Sequence, residues 1–251
     1  MAESAVVAGF SEGVPCWVDV QLPDVRAGKR FYGELFGWTF PETADETAGA
    51  GPMIPAELDG APVAGLTPKR DGRMPTVWTV YFATPDARAL TRRIAAAGGH
   101  VITAPTELPG SSGDLGSAAL VTDPEGAVFG LWQPGSHAGF GRRHERRTFC
   151  WAELYARDTA TVDRFYGTLF HDALFGPDAT PDFGRVPVTG VFPAEMPPHF
   201  LVHFGVGDCD EALATVIRLG GRVQVPPFDA SYGRVAVVTD NQGASFAVLE
   251  R

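Results

Sequence analysis

The chain has 251 residues, 45% of them hydrophobic, with 30 glycines, 21 prolines and a formal net charge of −10. That length suits two modest domains, and no stretch is apolar for the ~18 residues that a membrane-spanning helix needs. The acidic balance disfavours nucleic acid and anionic membrane surfaces as partners.

The first residues, Met1 to Gly13, lack the basic segment and long apolar core of a signal peptide, so the expected address is cytoplasmic. Cys16, Cys150 and Cys209 are too few and too scattered for a disulfide framework or zinc cluster and read as small buried hydrophobes. Residues Trp17–Leu22 alternate as a strand, and Asp24 follows as a helix N-cap. Phe31, Leu35 and Phe36 then stand at helical spacing, with Gly37 as the stop. Met53–Leu58 and Ala61–Leu66 read as short strands. The pattern restarts with a strand over Thr76–Ala83 and a helix over Asp86–Ala97, ended by Gly98-Gly99. Strands follow at Val101–Ala104, Ser117–Thr122 and Ala127–Gln133, the last two joined by the turn Asp123-Pro124-Glu125-Gly126.

From Pro134 to Thr148 the chain is rich in Gly, Ser and Arg and has no apolar period, which marks a linker. Its arginines, Arg142, Arg143, Arg146 and Arg147, could form an anion site, but such a run more often is solvated or clamps the acidic bodies to either side, and that is the reading favoured. Then the first pattern returns. CWVDVQLPDVRAGKRFYGELFGW, from Cys16, aligns without a gap on CWAELYARDTATVDRFYGTLFHD, from Cys150. Downstream Val80 matches Val202, Gly98-Gly99 matches Gly220-Gly221, and Thr122-Asp123 matches Thr239-Asp240, at an offset that shrinks as the second copy loses loop residues. The expected organisation is a first domain over 1–134, a linker over 135–147 and a second domain over 148–251.

Strand, Pro-Asp or Arg-Asp, a helix carrying Phe-Tyr-Gly-x-Leu-Phe, and a final strand pair around Asp-Pro-x-Gly resemble the vicinal oxygen chelate superfamily. That superfamily includes glyoxalase I, bleomycin-resistance proteins, fosfomycin-resistance enzymes and extradiol dioxygenases. The resemblance implies an α+β chain of two tandem glyoxalase-like domains, each built of two βαβββ modules in a curved sheet enclosing a cavity. Eight strands per domain and two helices on its convex side are expected. The scaffold serves isomerases, dioxygenases and pure binders, so it does not name the chemistry. In metal-using relatives the concave face carries His and Glu ligands. The matching positions here are Trp17, Gly65, Thr79 and Gly130 in the first copy, and Trp151, Gly190, Leu201 and Ala247 in the second. None offers imidazole, carboxylate or thiolate, so neither a metal site nor another cofactor is expected. His199 and His203 could join Glu153 in a two-His-one-carboxylate set. Four residues along a strand, however, separate the histidines by about 13 Å.

Period-two alternation turns Val18, Val20 and Leu22 towards the helix and Trp17, Asp19 and Gln21 towards the concavity. Thr79, Tyr81 and Trp132 join them in the first copy. The second copy offers Trp151, Glu153, Tyr155, His199, His203 and Ser245. An aromatic wall with few polar groups suits a flat or aromatic small organic ligand. Trp17 and Trp151 could instead fill volume vacated by a metal site, and Asp19 and Glu153 could pair with arginines. Glu153, His203 and Tyr155 are the expected proton-transfer groups, since histidine titrates nearest neutral pH, while the first copy looks suited to stacking. The reading is a metal-independent binder of an aromatic metabolite or drug; the alternative is a tailoring enzyme of polyketide-like secondary metabolism. A metal-dependent lyase or dioxygenase fails at the ligand positions.

Overall fold

Each long helix starts where an aspartate follows a strand. In the computed structural model, which describes residues 9–41, 53–69, 71–73, 75–110, 113–177, 179, 182–188, 192–193 and 195–251, Asp24 caps α1 (Val25–Phe36) by accepting from the Ala27 amide. Asp86 does the same for α2 (Ala87–Ala96), Asp158 for α3 (Thr159–Leu169), and Asp208 for α5 (Cys209–Arg218), beyond the short α4 (His171–Phe175). Such caps contribute about 1 kcal/mol each. Gly37 ends α1 in the left-handed region, at φ 68°, and returns its amide to the Gly33 carbonyl.

The strands of the first copy are β1 (Pro15–Leu22), β2 (Ile54–Leu58), β3 (Ala61–Pro68), β4 (Trp78–Ala83), β5 (His100–Gly110), β6 (Gly113–Thr122) and β7 (Val128–Pro134). They form one sheet in the order β2-β3-β1-β4-β7-β6-β5. The second copy supplies β8 (Phe149–Ala156), β9 (Phe183–Pro187), β10 (His199–Val206), β11 (Arg222–Ala230), β12 (Gly233–Thr239) and β13 (Ser245–Glu250), ordered β11-β12-β13-β10-β8-β9. The sheets therefore have seven and six strands among the described residues, where eight were expected. The later module of each copy is complete: β4-α2-β5-β6-β7 and β10-α5-β11-β12-β13. The hairpin β5–β6 runs longer than its apolar pattern indicates, continuing through Pro105 and Pro109. Because β5 is a sheet edge, a proline there can forgo its N–H without breaking the ladder.

All four long helices lie against their own copy's sheet, and two of them also reach the other copy. α2 packs on β5, β6 and β7, and α5 on β11, β12 and β13, as expected. α1 and α3 lie between the sheets and reach across. On α1, Phe31 and Phe36 meet Phe246 of β13 at ring-centroid distances of 6.5 and 6.1 Å, and Phe36 meets Phe204 of β10 at 5.1 Å. On the other side, Tyr166 of α3 meets Phe129 of β7 at 5.7 Å, and Phe170 stacks on Phe82 of β4 at 5.4 Å. The sheets touch back to back through Trp78 and Phe204 at 5.0 Å. One hydrophobic core thus runs through both copies, and each fully buried Phe contributes roughly 1.5–3 kcal/mol to it.

Two hydrogen bonds repeat this exchange. The Tyr32 hydroxyl donates to Asp240 Oδ2 at 2.8 Å, while Asp240 Oδ1 accepts from the Gln242 and Ala244 amides of its own turn. The Tyr166 hydroxyl donates to Asp123 Oδ2 at 3.3 Å, while Asp123 Oδ1 accepts from the Glu125 and Ala127 amides. The tyrosine of each Phe-Tyr-Gly motif therefore locks onto the turn aspartate of the other copy.

Candidate functional site

In the first copy the expected residues converge but fill the concavity. Trp17 faces Tyr81 across the β1–β4 pair, and Asp19 lies level with Thr79 on β4 and Gly65 on β3. Trp17 is 1% exposed and Trp132 2%. The Trp17 indole N–H reaches Met53 Sδ at 3.2 Å, and that of Trp132 donates to the His137 carbonyl at 2.9 Å. The His137 ring, brought in by the linker, wedges between them at 4.4 Å from Trp17 and 5.5 Å from Trp132. Asp19 has no arginine partner: its Oδ2 accepts from the Tyr81 hydroxyl at 3.1 Å, and Oδ1 is buried with no hydrogen-bond partner. Burial pushes this carboxyl up to about 7 and holds the His137 imidazole down at about 4. Gln21 is exposed near the end of β1, level with Thr67.

The second copy carries the richer polar set. On β8, Trp151, Glu153 and Tyr155 lie opposite His203, Leu201 and His199 of β10. Glu153 is 5% exposed. Its Oε2 accepts from the Trp151 indole N–H at 3.1 Å and from the Tyr232 hydroxyl at 3.3 Å, rather than from an arginine. Burial raises the Glu153 pKa, and those two hydrogen bonds and the field of Arg185 oppose the rise. Beside Glu153 on β9 stands Gly184, whose Cα is so close that an added Cβ would lie 2.4 Å from Oε1. Gly184 is thus the register counterpart of Gly65; Gly190, which the sequence alignment offers, lies outside the described residues.

His203 is 1% exposed, its Nδ1 has no hydrogen-bond partner among the described residues, and burial holds its pKa at about 4 against the nearby backbone of Leu201 and Trp151, which favours the charged ring. His199 donates from Nδ1 to the Pro197 carbonyl at 2.9 Å and stacks on Tyr155 at 5.4 Å. Tyr155 also meets Phe192 edge-on at 4.8 Å, and burial raises its pKa. Ser245 donates to Gln224 at 3.0 Å. Apolar residues surround these groups: Leu201, Val235, Val237, Ala247 and Leu249 form a cluster separate from the main core.

Tyr232 is the functional candidate that sequence reasoning missed. It sits in the β11–β12 turn, 39% exposed, with its ring 6.5 Å from Trp151 and 6.3 Å from His203. A turn residue has no periodicity to assign it a face; an aromatic in a tight hairpin turn is the one available signal. His137 was missed for a similar reason, since the linker that carries it shows no pattern.

Two open spaces lie elsewhere. A cavity of about 820 Å³ at the seam of the copies is bordered by Phe10, Glu12, Arg93, Arg143 and Phe170, and one of about 510 Å³ separates α1 from α5. The cations at the seam are committed: Arg93 to Glu12 and the Leu169 carbonyl, Arg143 to Asp182. Arg142 likewise binds Asp59 and Glu145 at 2.6 Å each, so these two linker arginines act as clamps. No residue of either concave face borders these two cavities.

The side chains at the concave positions do not fit a divalent metal: Asp19 is level with Gly65 and Thr79, and Glu153 with Gly184 and Leu201. Among the described residues no three His, Cys, Asp or Glu side chains come together as a ligand group, His199, His203 and Glu153 included. No described helix is long and apolar enough to cross a membrane.

Residues 16–131 match the family described as the Glyoxalase/Bleomycin resistance protein/Dioxygenase superfamily. The chain is 36% identical to the anthracycline biosynthesis protein DauV of Streptomyces sp. (strain C5), over 96% of this chain and 94% of DauV. It is also 36% identical to the anthracycline biosynthesis protein DnrV of Streptomyces peucetius, with the same coverage. In fold it is similar to the Mn(II)-bound glyoxalase from Novosphingobium aromaticivorans, with a TM-score of 0.60 at 16% identity, over 95% of this chain and 83% of that one.

Proposed function

The chain belongs to the glyoxalase/bleomycin resistance protein/dioxygenase superfamily, and from that premise we propose that it is a tailoring enzyme acting on an aromatic, polyketide-like secondary metabolite. The reaction occupies the concave face of the second copy. The observation that carries this reading is Glu153: a buried carboxylate on an apolar face, hydrogen-bonded among the described residues only on Oε2 and only by neutral donors. Such a group is poised to take a proton from an acidic C–H or O–H of the substrate and return it to another atom, a net isomerisation. His203 and Tyr155 orient the substrate, and Trp151 and His199 flank it. The participation of DauV and DnrV in anthracycline biosynthesis supports the metabolite class. Trp17, Asp19, Thr79, Tyr81 and Trp132 form the packed counterpart in the first copy.

The test is a thermal-shift screen against aromatic polyketides, followed by mass analysis of each hit incubated in D₂O. Protein-dependent deuterium uptake or a new product, lost in Glu153→Gln while the thermal shift remains, is the expected result. A hit recovered without exchange or conversion replaces the enzymatic reading with pure binding. Turnover that survives Glu153→Gln removes Glu153 from its role.

A further inference from the structure

The second concave face has few polar atoms, and their chemistry limits what can bind there, provided that this face is the working site. Glu153 is a hydrogen-bond acceptor, and burial makes the ionised carboxylate costly already. The cation whose field reaches it, Arg185, lies on β9 level with Leu154, on the opposite side of the strand from Gly184. There it pairs with Asp163 and lies over the Phe183 ring, 5.3 Å from its centroid. A ligand carboxylate or phosphate placed beside Glu153 would add a second buried negative charge, while Arg185 is held by Asp163 and Arg251, whose field reaches His203, sits exposed at the chain end. The second polar atom is Nδ1 of His203, buried and unpartnered among the described residues. A hydroxyl both donates and accepts, so it satisfies this nitrogen in either tautomer and satisfies a carboxylate as a donor.

The face also carries a stand-in for such a ligand. Tyr232 is a phenol whose hydroxyl donates to Glu153 Oε2 at 3.3 Å, beside the rings of Trp151 and His203. It comes from the β11–β12 hairpin turn, is partly exposed, and is not part of a strand ladder, so it can swing out without breaking the sheet. The Trp151 indole N–H, by contrast, belongs to β8 and remains on Glu153.

We infer that the site takes an uncharged aromatic ligand carrying two hydroxyl groups, one replacing the Tyr232 phenol at Glu153 and the other reaching His203 Nδ1. Tyr232 is then a specificity-determining residue: it competes with the ligand, keeps Glu153 hydrogen-bonded in the free protein, and leaves an anionic competitor nothing to pair with.

The experiment titrates the full chain by calorimetry at pH 7 with three probes of one ring system: 2,6-dihydroxynaphthalene, naphthalene and 2-naphthoate. The His203 ring resonance is followed by NMR in parallel. Dihydroxynaphthalene should bind at least about tenfold more tightly than either other probe and shift the His203 signal. Glu153→Gln should reduce that preference. Tyr232→Phe should tighten dihydroxynaphthalene binding by a few-fold, because the competing phenol is gone, which a merely structural tyrosine would not do. Equal or tighter binding of 2-naphthoate, or weaker dihydroxynaphthalene binding in Tyr232→Phe, overturns the inference. If the His203 signal still moves in that case, the location of the site stands. If dihydroxynaphthalene binds without moving the His203 signal or responding to Glu153→Gln, the location itself is wrong. Absence of binding by all three probes also counts against the proposal.

Discussion

Replacing Tyr32 with phenylalanine isolates the lock between the two copies. The change removes one oxygen that donates to Asp240 at 2.8 Å and accepts from the Trp78 indole at 3.2 Å. Asp240 is 3% exposed and Trp78 4%, so water cannot readily replace either partner. A hydrogen bond to a charged group contributes about 1.5–3 kcal/mol, and a buried donor left unpaired costs about 1–3 kcal/mol. The losses overlap, since the two partners can shift towards each other, and the expected destabilisation is about 2–4 kcal/mol. Tyr166→Phe breaks a longer bond of 3.3 Å and strands no indole, so about 1–2 kcal/mol is expected. Urea unfolding followed by tryptophan fluorescence and far-ultraviolet circular dichroism gives both values from the shift in midpoint at constant slope. The two signals should coincide in one transition, because the core runs through both copies. A Tyr32→Phe cost below about 0.5 kcal/mol, or two separated transitions in the unmodified protein, would refute the reasoning.

Gly184→Ala puts a methyl group 2.4 Å from Glu153 Oε1 and 2.9 Å from Trp151 Cζ2; calorimetric melting should show a loss of about 1–3 kcal/mol. Asp19→Asn tests the buried carboxyl of the first copy, which burial raises from 3.8 to about 7. Between those values the folded protein keeps a proton that the unfolded chain has released, so this group's contribution to stability falls as pH rises. The depressed imidazoles of His137 and His203, at about 4, act oppositely and cancel when the variant is compared with the parent. Asp19→Asn should therefore gain on the parent by roughly 2–4 kcal/mol between pH 4 and pH 8 in urea titrations, and a flat difference would count against it. His137→Ala removes the wedge between Trp17 and Trp132, and acrylamide should then quench tryptophan fluorescence more strongly than in the parent.

What the sequence made legible was local or alternating. The Asp24 cap follows from chemistry within a few residues, and Gly37 stops α1 for reasons internal to that helix. Alternation placed Trp17 with Tyr81 and Glu153 with His203 on concave faces, because a strand offers each side chain only two directions. It could not tell a lined cavity from a filled one: Met53 and His137 occupy the first concavity, and neither belongs to the strand that supplies Trp17. Nor could it say what covers an apolar helix face. Phe36 announces burial, but its neighbour Phe204 lies in the other copy. Gly184 was displaced in the alignment because the second copy has shortened loops, whereas hydrogen-bond register identifies it directly.

The reciprocal seating of Tyr32 on Asp240 and Tyr166 on Asp123 carries an evolutionary consequence. A chain holding a single copy would present both halves of this lock, an aromatic stripe on its first helix and the strand face that receives it. Two such chains could satisfy each other about a twofold axis, as an isologous dimer does. Fusion of duplicated genes would then change no contact; it would turn a concentration-dependent encounter into an intramolecular one, at an effective concentration set by the linker. Once joined, the halves need no longer be identical. One could fill its cavity with tryptophan, while the other kept its carboxylate on an apolar face.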